Sequence, residues 1–231
     1  MTPLIQATYG DLASWPWLTR IGKDINKIPA KSYTATQAPT GELVVVNTSD
    51  QAGGGGLVTC AVPVPALGVP LPYTELSLEA FLTDIPWRFE SDVKQCNIGA
   101  HSGGQINIAN ISNFSTQWKQ MNGPLGQWQI DGNPPGWLGT YWTPTLTTGA
   151  WFKFRIRGYT DLAAKTYSVL SGRFGKQRFD VPAALQNVPW EVSNWGPTPV
   201  AMVQLQTEIA LPGVLTVRYR KIRVKFRNLP F

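Results

Sequence analysis

The sequence predicts an all-β chain, an antiparallel β-sandwich over residues 41–231 preceded by an extended N-terminal arm over residues 1–40. Three observations carry that expectation. Trp151-Phe152-Lys153-Phe154-Arg155-Ile156-Arg157 alternates strictly, with Phe152, Phe154 and Ile156 on one side and Lys153, Arg155 and Arg157 on the other. That is the period of a strand with one dry and one wet face. Residues 215–226 alternate too, but Leu215, Val217 and Tyr219 have one parity and Ile222, Val224 and Phe226 the other, so one extra residue near Arg220–Lys221, a β-bulge, is needed. Finally, Gly 22 and Pro 19 in 231 residues break the chain too often for long helices, while 43% hydrophobic content supplies a core.

In order, Ser14-Trp15-Pro16-Trp17-Leu18 has the marks of a short helix, with Ser14 as cap and Pro16 in its first turn. Residues 28–41 are Thr-rich and bounded by prolines, an arm expected to lie against the body or a neighbouring subunit. Glu42-Leu43-Val44-Val45-Val46 is the first clear strand. Gly53 to Gly56 reads as a flexible turn, with the β pattern resuming at residues 57–61; no Lys-Ser/Thr or helix follows, so it is not a phosphate loop. Residues 63–72 are an irregular rim. Leu76, Leu78, Ala80 and Leu82 alternate inward along the next strand, and residues 93–98 and 105–111 continue the pattern. Residues 118–142 loosen into an aromatic, Gly/Pro-rich region. Residues 167–170 pair back onto 151–157, residues 173–181 form a short strand, and residues 200–209 and 215–226 close the sheet as a hairpin around Leu211-Pro212-Gly213. Many short-spaced strands with no intervening helix imply a sandwich.

Net charge is +6, and nine of the 20 basic residues lie on two strands: Lys153, Arg155, Arg157, Arg218, Arg220, Lys221, Arg223, Lys225 and Arg227. Paired, those strands would make a cationic face suited to an acidic glycan, a phosphate or an acidic partner subunit. The plainer reading is a solvated face whose Arg and Lys stems cover apolar surface. Cys60 and Cys96 make no disulfide framework or zinc motif, and either bridge neighbouring strands or stay as buried thiols. No signal peptide is visible, and the apolar run 57–71 is interrupted by Pro63, Pro65 and Pro70 and is too short to span a bilayer. A virion or extracellular assembly is the expected setting, ahead of the cytoplasm.

Gly149-Ala150-Trp151-Phe152-Lys153-Phe154-Arg155-Ile156, then Lys165-Thr166-Tyr167-Ser168-Val169-Leu170, resembles the concanavalin A-like (laminin G-like) jelly rolls, in which a Trp-aromatic-x-hydrophobic-x-hydrophobic strand leads into a hairpin with a Thr-Tyr-x-Val-like run. Val214-Leu215-Thr216-Val217-Arg218-Tyr219-Arg220-Lys221-Ile222-Arg223-Val224 is similar to their closing strand. The resemblance covers residues 149–226 in detail and 42–226 in outline. It implies the jelly roll, and a superfamily of lectins, carbohydrate-binding modules, glycoside hydrolases, polysaccharide lyases and virion modules; fold alone does not choose among them.

Retaining glycosidases of that superfamily set two carboxylates about 5 Å apart with a Glu-x-Asp-x-(x)-Glu strand. Glu90-Ser91-Asp92 is the nearest approach and lacks the third acid, and Glu75 and Glu79 are too widely spaced. A lyase would need a Tyr or His base with neutralising polar groups; His101, the one histidine, with Gln105 and Asn107, is interrupted by Ser102-Gly103-Gly104. No metal or cofactor motif is present, and Asp131-Gly132-Asn133 reads as a tight turn more readily than as a calcium loop. The aromatics lead further. Trp118, Trp128, Asp131, Asn133, Trp137, Tyr141 and Trp142 interleave flat rings with polar groups, which is how a protein holds a sugar ring. The same rings would also serve a core or a subunit interface. Because the cations lie elsewhere, nucleic acid ranks low as a partner. The sequence thus points to a non-catalytic lectin-like module that binds carbohydrate or an acidic polymer, or docks onto protein subunits of a larger assembly, with a polysaccharide-active enzyme, a lyase ahead of a hydrolase, as the alternative.

Overall fold

The structure, a computed structural model, describes residues 2–21, 28–63, 71–99, 107–122, 125–132, 136–142, 145–161, 163–164, 166–183, 186–189 and 198–231, with side chains throughout except over 91–142 and 188–202. The strands are β1 (Gln6–Tyr9), β2 (Leu18–Arg20), β3 (Ile28–Pro29), β4 (Ser32–Gln37), β5 (Leu43–Ser49), β6 (Gly54–Pro63), β7 (Tyr73–Leu82), β8 (Pro86–Gly99), β9 (Asn107–Asn122), β10 (Leu125–Gly132), β11 (Gly136–Trp142), β12 (Phe152–Asp161), β13 (Thr166–Phe174), β14 (Gln177–Asp180), β15 (Val188–Pro189), β16 (Thr198–Ile209) and β17 (Gly213–Arg227). They form two sheets. The nine-stranded sheet runs β14-β13-β12-β7-β17-β5-β4, with β1 on β17 and β15 on β13; the eight-stranded sheet runs β11-β10-β9-β8-β16-β6-β2, with β3 on β6. Among the described residues, all pairings are antiparallel except β3 with β6. This is the jelly-roll sandwich that the sequence predicts.

Alternation places the core. Leu76, Leu78, Ala80 and Leu82 of β7 and Phe152, Phe154 and Ile156 of β12 are buried against Val58 and Val62 of β6, Phe89 of β8, and Val203 and Leu205 of β16. Each large side chain so buried contributes roughly 1.5–3 kcal/mol. Phe89 bridges the sheets: its ring lies 5.8 Å from Phe152, 6.3 Å from Phe154, 6.4 Å from Phe174 and 6.2 Å from Tyr219. The phase change in β17 is a bulge. Arg220 pairs with Glu79 and Arg223 with Ser77, so β17 spends one residue more than β7, and Lys221 takes it up at φ 52°. Tyr219 and Ile222 are both fully buried as a result.

Three local expectations are corrected. Residues 200–209 and 215–226 do not form a hairpin: β16 pairs with β6 and β8, whereas β17 pairs with β7 and β5 in the other sheet. Leu211-Pro212-Gly213 therefore arches from sheet to sheet. Gly54, Gly55 and Gly56 are buried strand residues of β6 and not a turn, because the neighbours leave no room for a side chain; a Cβ on Gly56 would fall 2.5 Å from the Tyr33 ring. The helix expected from Ser14 is one 3-10 turn, Leu12–Ser14, in which Ser14 is the last residue and its amide and hydroxyl donate to Asp11 O at 2.9 and 2.8 Å. In addition, residues 173–181 divide into the end of β13 and β14 around a turn at Gly175.

Residues 2–21 and 28–40 are woven into both sheets. β1 and β4 extend the nine-stranded sheet, and β2 and β3 the other. Leu12, Ala13, Ala30 and Tyr33 are buried in the core. The Tyr33 hydroxyl is 3.0 Å from Thr207 Oγ1 and accepts from Thr207 N at 3.2 Å, which ties β4 to β16 across the sandwich. Cys60 is a buried free thiol, pushed up to about 11 by burial. It lies on β6 and Cys96 on β8, with β16 between them, so a bridge across neighbouring strands is not formed.

Candidate functional site

Each sheet presents one face away from the core. On the nine-stranded sheet the wet positions of β12 and β17 carry the basic residues. The two strands do not pair, as a continuous cationic face would require. β7 lies between them, and the rows read Lys153–Glu79–Arg220, Arg155–Ser77–Arg223 and Arg157–Glu75–Lys225. Like charges directly opposite each other repel, and a strand bearing glutamate at alternate wet positions removes that repulsion.

The glutamates are taken up locally. Arg157 Nε donates to Glu75 Oε2 at 2.6 Å. Arg220 Nε and Lys221 Nζ donate to Glu79 at 2.7 and 3.0 Å, and Arg218 Nε donates to Glu42 Oε2 at 2.7 Å. Burial works to raise the Glu79 carboxyl, but hydrogen bonds from Lys221 and Arg220, aided by their charges, hold it below its ordinary value. Arg220 also lies over the Trp151 ring at 4.0 Å, and Arg218 over Phe81 at 5.8 Å. Two further arginines extend the middle row, Arg173 of β13 opposite Arg155 and Arg178 of β14 opposite Arg173. The sequence reading missed both, although each flanks the Phe174-Gly175-Lys176-Gln177 turn at a wet position.

The outer face of the eight-stranded sheet is set by Phe89, which points into the core, so Arg88 and Glu90 stand on the opposite side. Arg88 Nη1 donates to Glu208 Oε1 at 3.1 Å, Arg88 Nη2 donates to Glu90, and Gln206 Nε2 donates to Glu208 Oε1 at 3.3 Å. Glu90 and Gln206 are only 6% and 8% exposed although they face away from the core. Their register positions begin a polar row that crosses five strands, Gln206–Glu90–Gln117–Gln129–Thr140 on β16, β8, β9, β10 and β11. Gln204, Asp92 and Ser115 form the next row on that face. Sequence reasoning also missed this assembly; the signal was the wet parity of Arg88/Glu90/Asp92 and of Gln204/Gln206/Glu208.

Register divides the aromatic candidates. Trp118, Trp128 and Trp142 continue the row of Phe89, which is the core-side row. Asp131 and Trp137 are register partners next along β10 and β11 from Gln129 and Thr140, beyond a second register shift. Tyr141 lies where the β10–β11 register shifts between Trp128 and Gln129. Asn133, His101 and Gln105 lie outside the described residues, and Asn107 opens β9. Among the described residues, no group of three His, Cys, Asp or Glu side chains is arranged to hold a metal ion, and no helix is long and apolar enough to cross a membrane.

Neither a family model nor a curated protein sequence matches the chain. Solved structures do. The alginate lyase vAL-1 from Chlorella virus superposes with TM-score 0.51 at 14% identity, covering 92% of this chain and 93% of the lyase. A prokaryotic β-1,3-1,4-glucanase (lichenase) derived from a mouse hindgut metagenome gives 0.52 at 11% identity, covering 96% and 98%. The CBM2 module of the evolved Dit of Lactobacillus casei BL23 phage J-1 gives 0.50 at 9%, covering 98% and 99%. At such identities the likeness establishes the fold, the concanavalin A-like jelly roll.

Proposed function

We propose that this concanavalin A-like jelly roll is a non-catalytic glycan-binding module whose sugar chain lies across the outer face of the eight-stranded sheet. The observation that carries the reading is the polar register row from Gln206 and Glu90 through Gln117 and Gln129, with the partners Asp131 and Trp137 next along β10 and β11 beyond a register shift. Sugars are held by a few fixed polar groups beside an apolar plank. Arg88, Glu90, Gln206 and Glu208 fix one another by hydrogen bonds, so the near end of the row is set before a ligand arrives. Trp137 supplies the plank. Trp118, Trp128 and Trp142 fall in the neighbouring register row, that of Phe89. The carbohydrate-related names of the neighbours support a sugar ligand, and the phage Dit neighbour supports placement in a larger assembly.

The sequence of β8 supports binding over cleavage. Glu90 and Asp92 alternate there, but Lys94 and Gln95 stand where a retaining glycosidase strand carries its remaining carboxylate. Glu90 is held by Arg88 instead of facing a second acid. The test is retention on a panel of immobilised glycans that includes alginate and β-1,3-1,4-glucan. Trp137→Ala should lower affinity about tenfold or more, the loss of ~1.4 kcal/mol or greater expected for an aromatic anchor, with unchanged thermal unfolding. Unchanged retention contradicts the assignment. One observation favours a second reading, an enzyme of the same fold: Glu90 and Asp92 share a face with Gln206 and Gln204, and two neighbours are named as a lyase and a glucanase. Ultraviolet-absorbing unsaturated ends from alginate, or new reducing ends from the glucan, would replace the binding reading with that one.

A further inference from the structure

The outer face of the other sheet carries a second feature that the glycan row does not use. Arg178, Arg173, Arg155, Ser77 and Arg223 stand in one register row across β14, β13, β12, β7 and β17. Two of its contacts, Arg178 with Arg173 and Arg173 with Arg155, place like charges directly opposite, which destabilises a sheet unless a counter-charge is supplied. The carboxylates nearby do not supply enough. Glu75 is bonded to Arg157 and is 3.9 Å from Arg155 Nε, and Glu79 is bonded to Arg220 and Lys221. Among the described residues, Arg178, Arg223, Lys153 and Lys225 make no ion pair, and the buried Nε of Arg155 has no hydrogen-bond partner. Burial, then the neighbouring Arg157, draws the Arg155 guanidinium down from its ordinary value; Glu75 opposes this, and Arg178 and Arg173 add to it. A pocket of about 300 Å³ opens over the centre of the row, lined by Ser77, Lys153, Arg155, Arg173 and Arg223 together with the ion-paired Glu75 and Glu79.

We infer that this row is a binding site for the oxyanions of a linear acidic polysaccharide, with one sulfate or carboxylate seated in the pocket and further ones along the row. Strands in a sheet lie about 4.8 Å apart, so cations recur across the row at a spacing that successive charged groups of a polymer can meet. Guanidinium groups pair with such oxyanions in bidentate fashion, and the Ser77 hydroxyl adds a donor at the row's centre. The aromatic groups beside the row favour a polysaccharide over a nucleic acid. Trp151, Phe81 and Phe231 each have guanidinium groups over their rings, from Arg220, Arg218 and Arg157 respectively, which leaves those faces unavailable for base stacking. This site is on the opposite side of the sandwich from the glycan row and stands or falls separately.

The experiment is chromatography of the whole chain on immobilised dextran sulfate and on neutral dextran, eluted with chloride or sulfate at matched ionic strength. Retention on dextran sulfate alone, with inorganic sulfate eluting earlier than chloride, is expected, because a built pocket takes the single oxyanion as well as the polymer. Elution at the same ionic strength by both salts would reduce the face to an ion exchanger and overturn the site. Arg173→Gln with Arg223→Gln should lower affinity at least tenfold, whereas the charge-matched pair Lys31→Gln with Arg20→Gln, the latter on β2 of the other sheet, should behave as the parent chain. Equal loss in both pairs overturns the proposal. If the first pair does not fold, Arg173→Lys with Arg223→Lys keeps the charge and removes the bidentate fork, and must still weaken sulfate's advantage over chloride. Tighter retention on immobilised oligothymidylate than on dextran sulfate would overturn the polysaccharide assignment.

Discussion

Glu79 has cations on both sides in its own row, Lys153 and Arg220, with Lys221 reaching in from the bulge. Its carboxyl is held below its ordinary value, so it contributes stability above the unfolded-state value and loses that contribution as pH falls through the lower folded value. Urea unfolding of the parent chain should therefore steepen its loss of stability below about pH 4.5, near the unfolded carboxylate value. Glu79→Gln should be less stable at neutral pH and fall less on acidification. Parallel acid limbs for the two proteins would contradict the role given to Glu79. The wet parity of Glu75 and Glu79 was readable in the sequence, since both alternate with Leu76 and Leu78. Their place between two basic strands was not, because pairings separated by some 80 or 140 residues leave no local pattern, as in Arg157 with Glu75 and Arg220 with Glu79.

At the scale of the element, β17 is the clearest case of sequence dictating geometry. Its apolar residues change parity, and the chain meets the demand with a bulge at Lys221, a non-glycine residue at φ 52°. Deleting Lys221 should put Ile222, Val224 and Phe226 on the wet face and the neighbouring cations in the core, and the product should fail to fold cooperatively by calorimetry. A folded deletion variant with the parent's unfolding temperature would show the bulge to be dispensable. Other elements were illegible for physical reasons. Gly54, Gly55 and Gly56 carry a turn-like composition, yet Tyr33, Thr207 and Glu208 press on them and make small size, not flexibility, the requirement. The arch at Leu211-Pro212-Gly213 has the residues of a hairpin turn; which sheet β17 joins is decided by β5 and β7, far away in sequence. The aromatic strands show the same limit. Their composition announced a site, but only long-range register shows that Trp118, Trp128 and Trp142 share a row with Phe89 while Asp131 and Trp137 pair apart from it.

For the whole molecule, one core leaves two outward faces of different chemistry. The face of the eight-stranded sheet is rich in amides and carboxylates, with Arg88 bound up by Glu90 and Glu208. The face of the nine-stranded sheet keeps arginines in excess of its glutamates. The strands β1, β2, β3 and β4 stitch both sheets together, so the faces are fixed relative to one another by the same core that holds Leu12 and Tyr33. The account rests chiefly on the glycan lying along the polar row. The most direct measurement is amide chemical-shift mapping of the isotope-labelled chain titrated with alginate and β-1,3-1,4-glucan oligosaccharides. The account predicts saturable shifts concentrated on β8, β9, β10, β11 and β16 for at least one of them, with β12, β13 and β14 unmoved by the neutral glucan. Shifts confined to β12, β13 and β14, or none with any oligosaccharide, would contradict it.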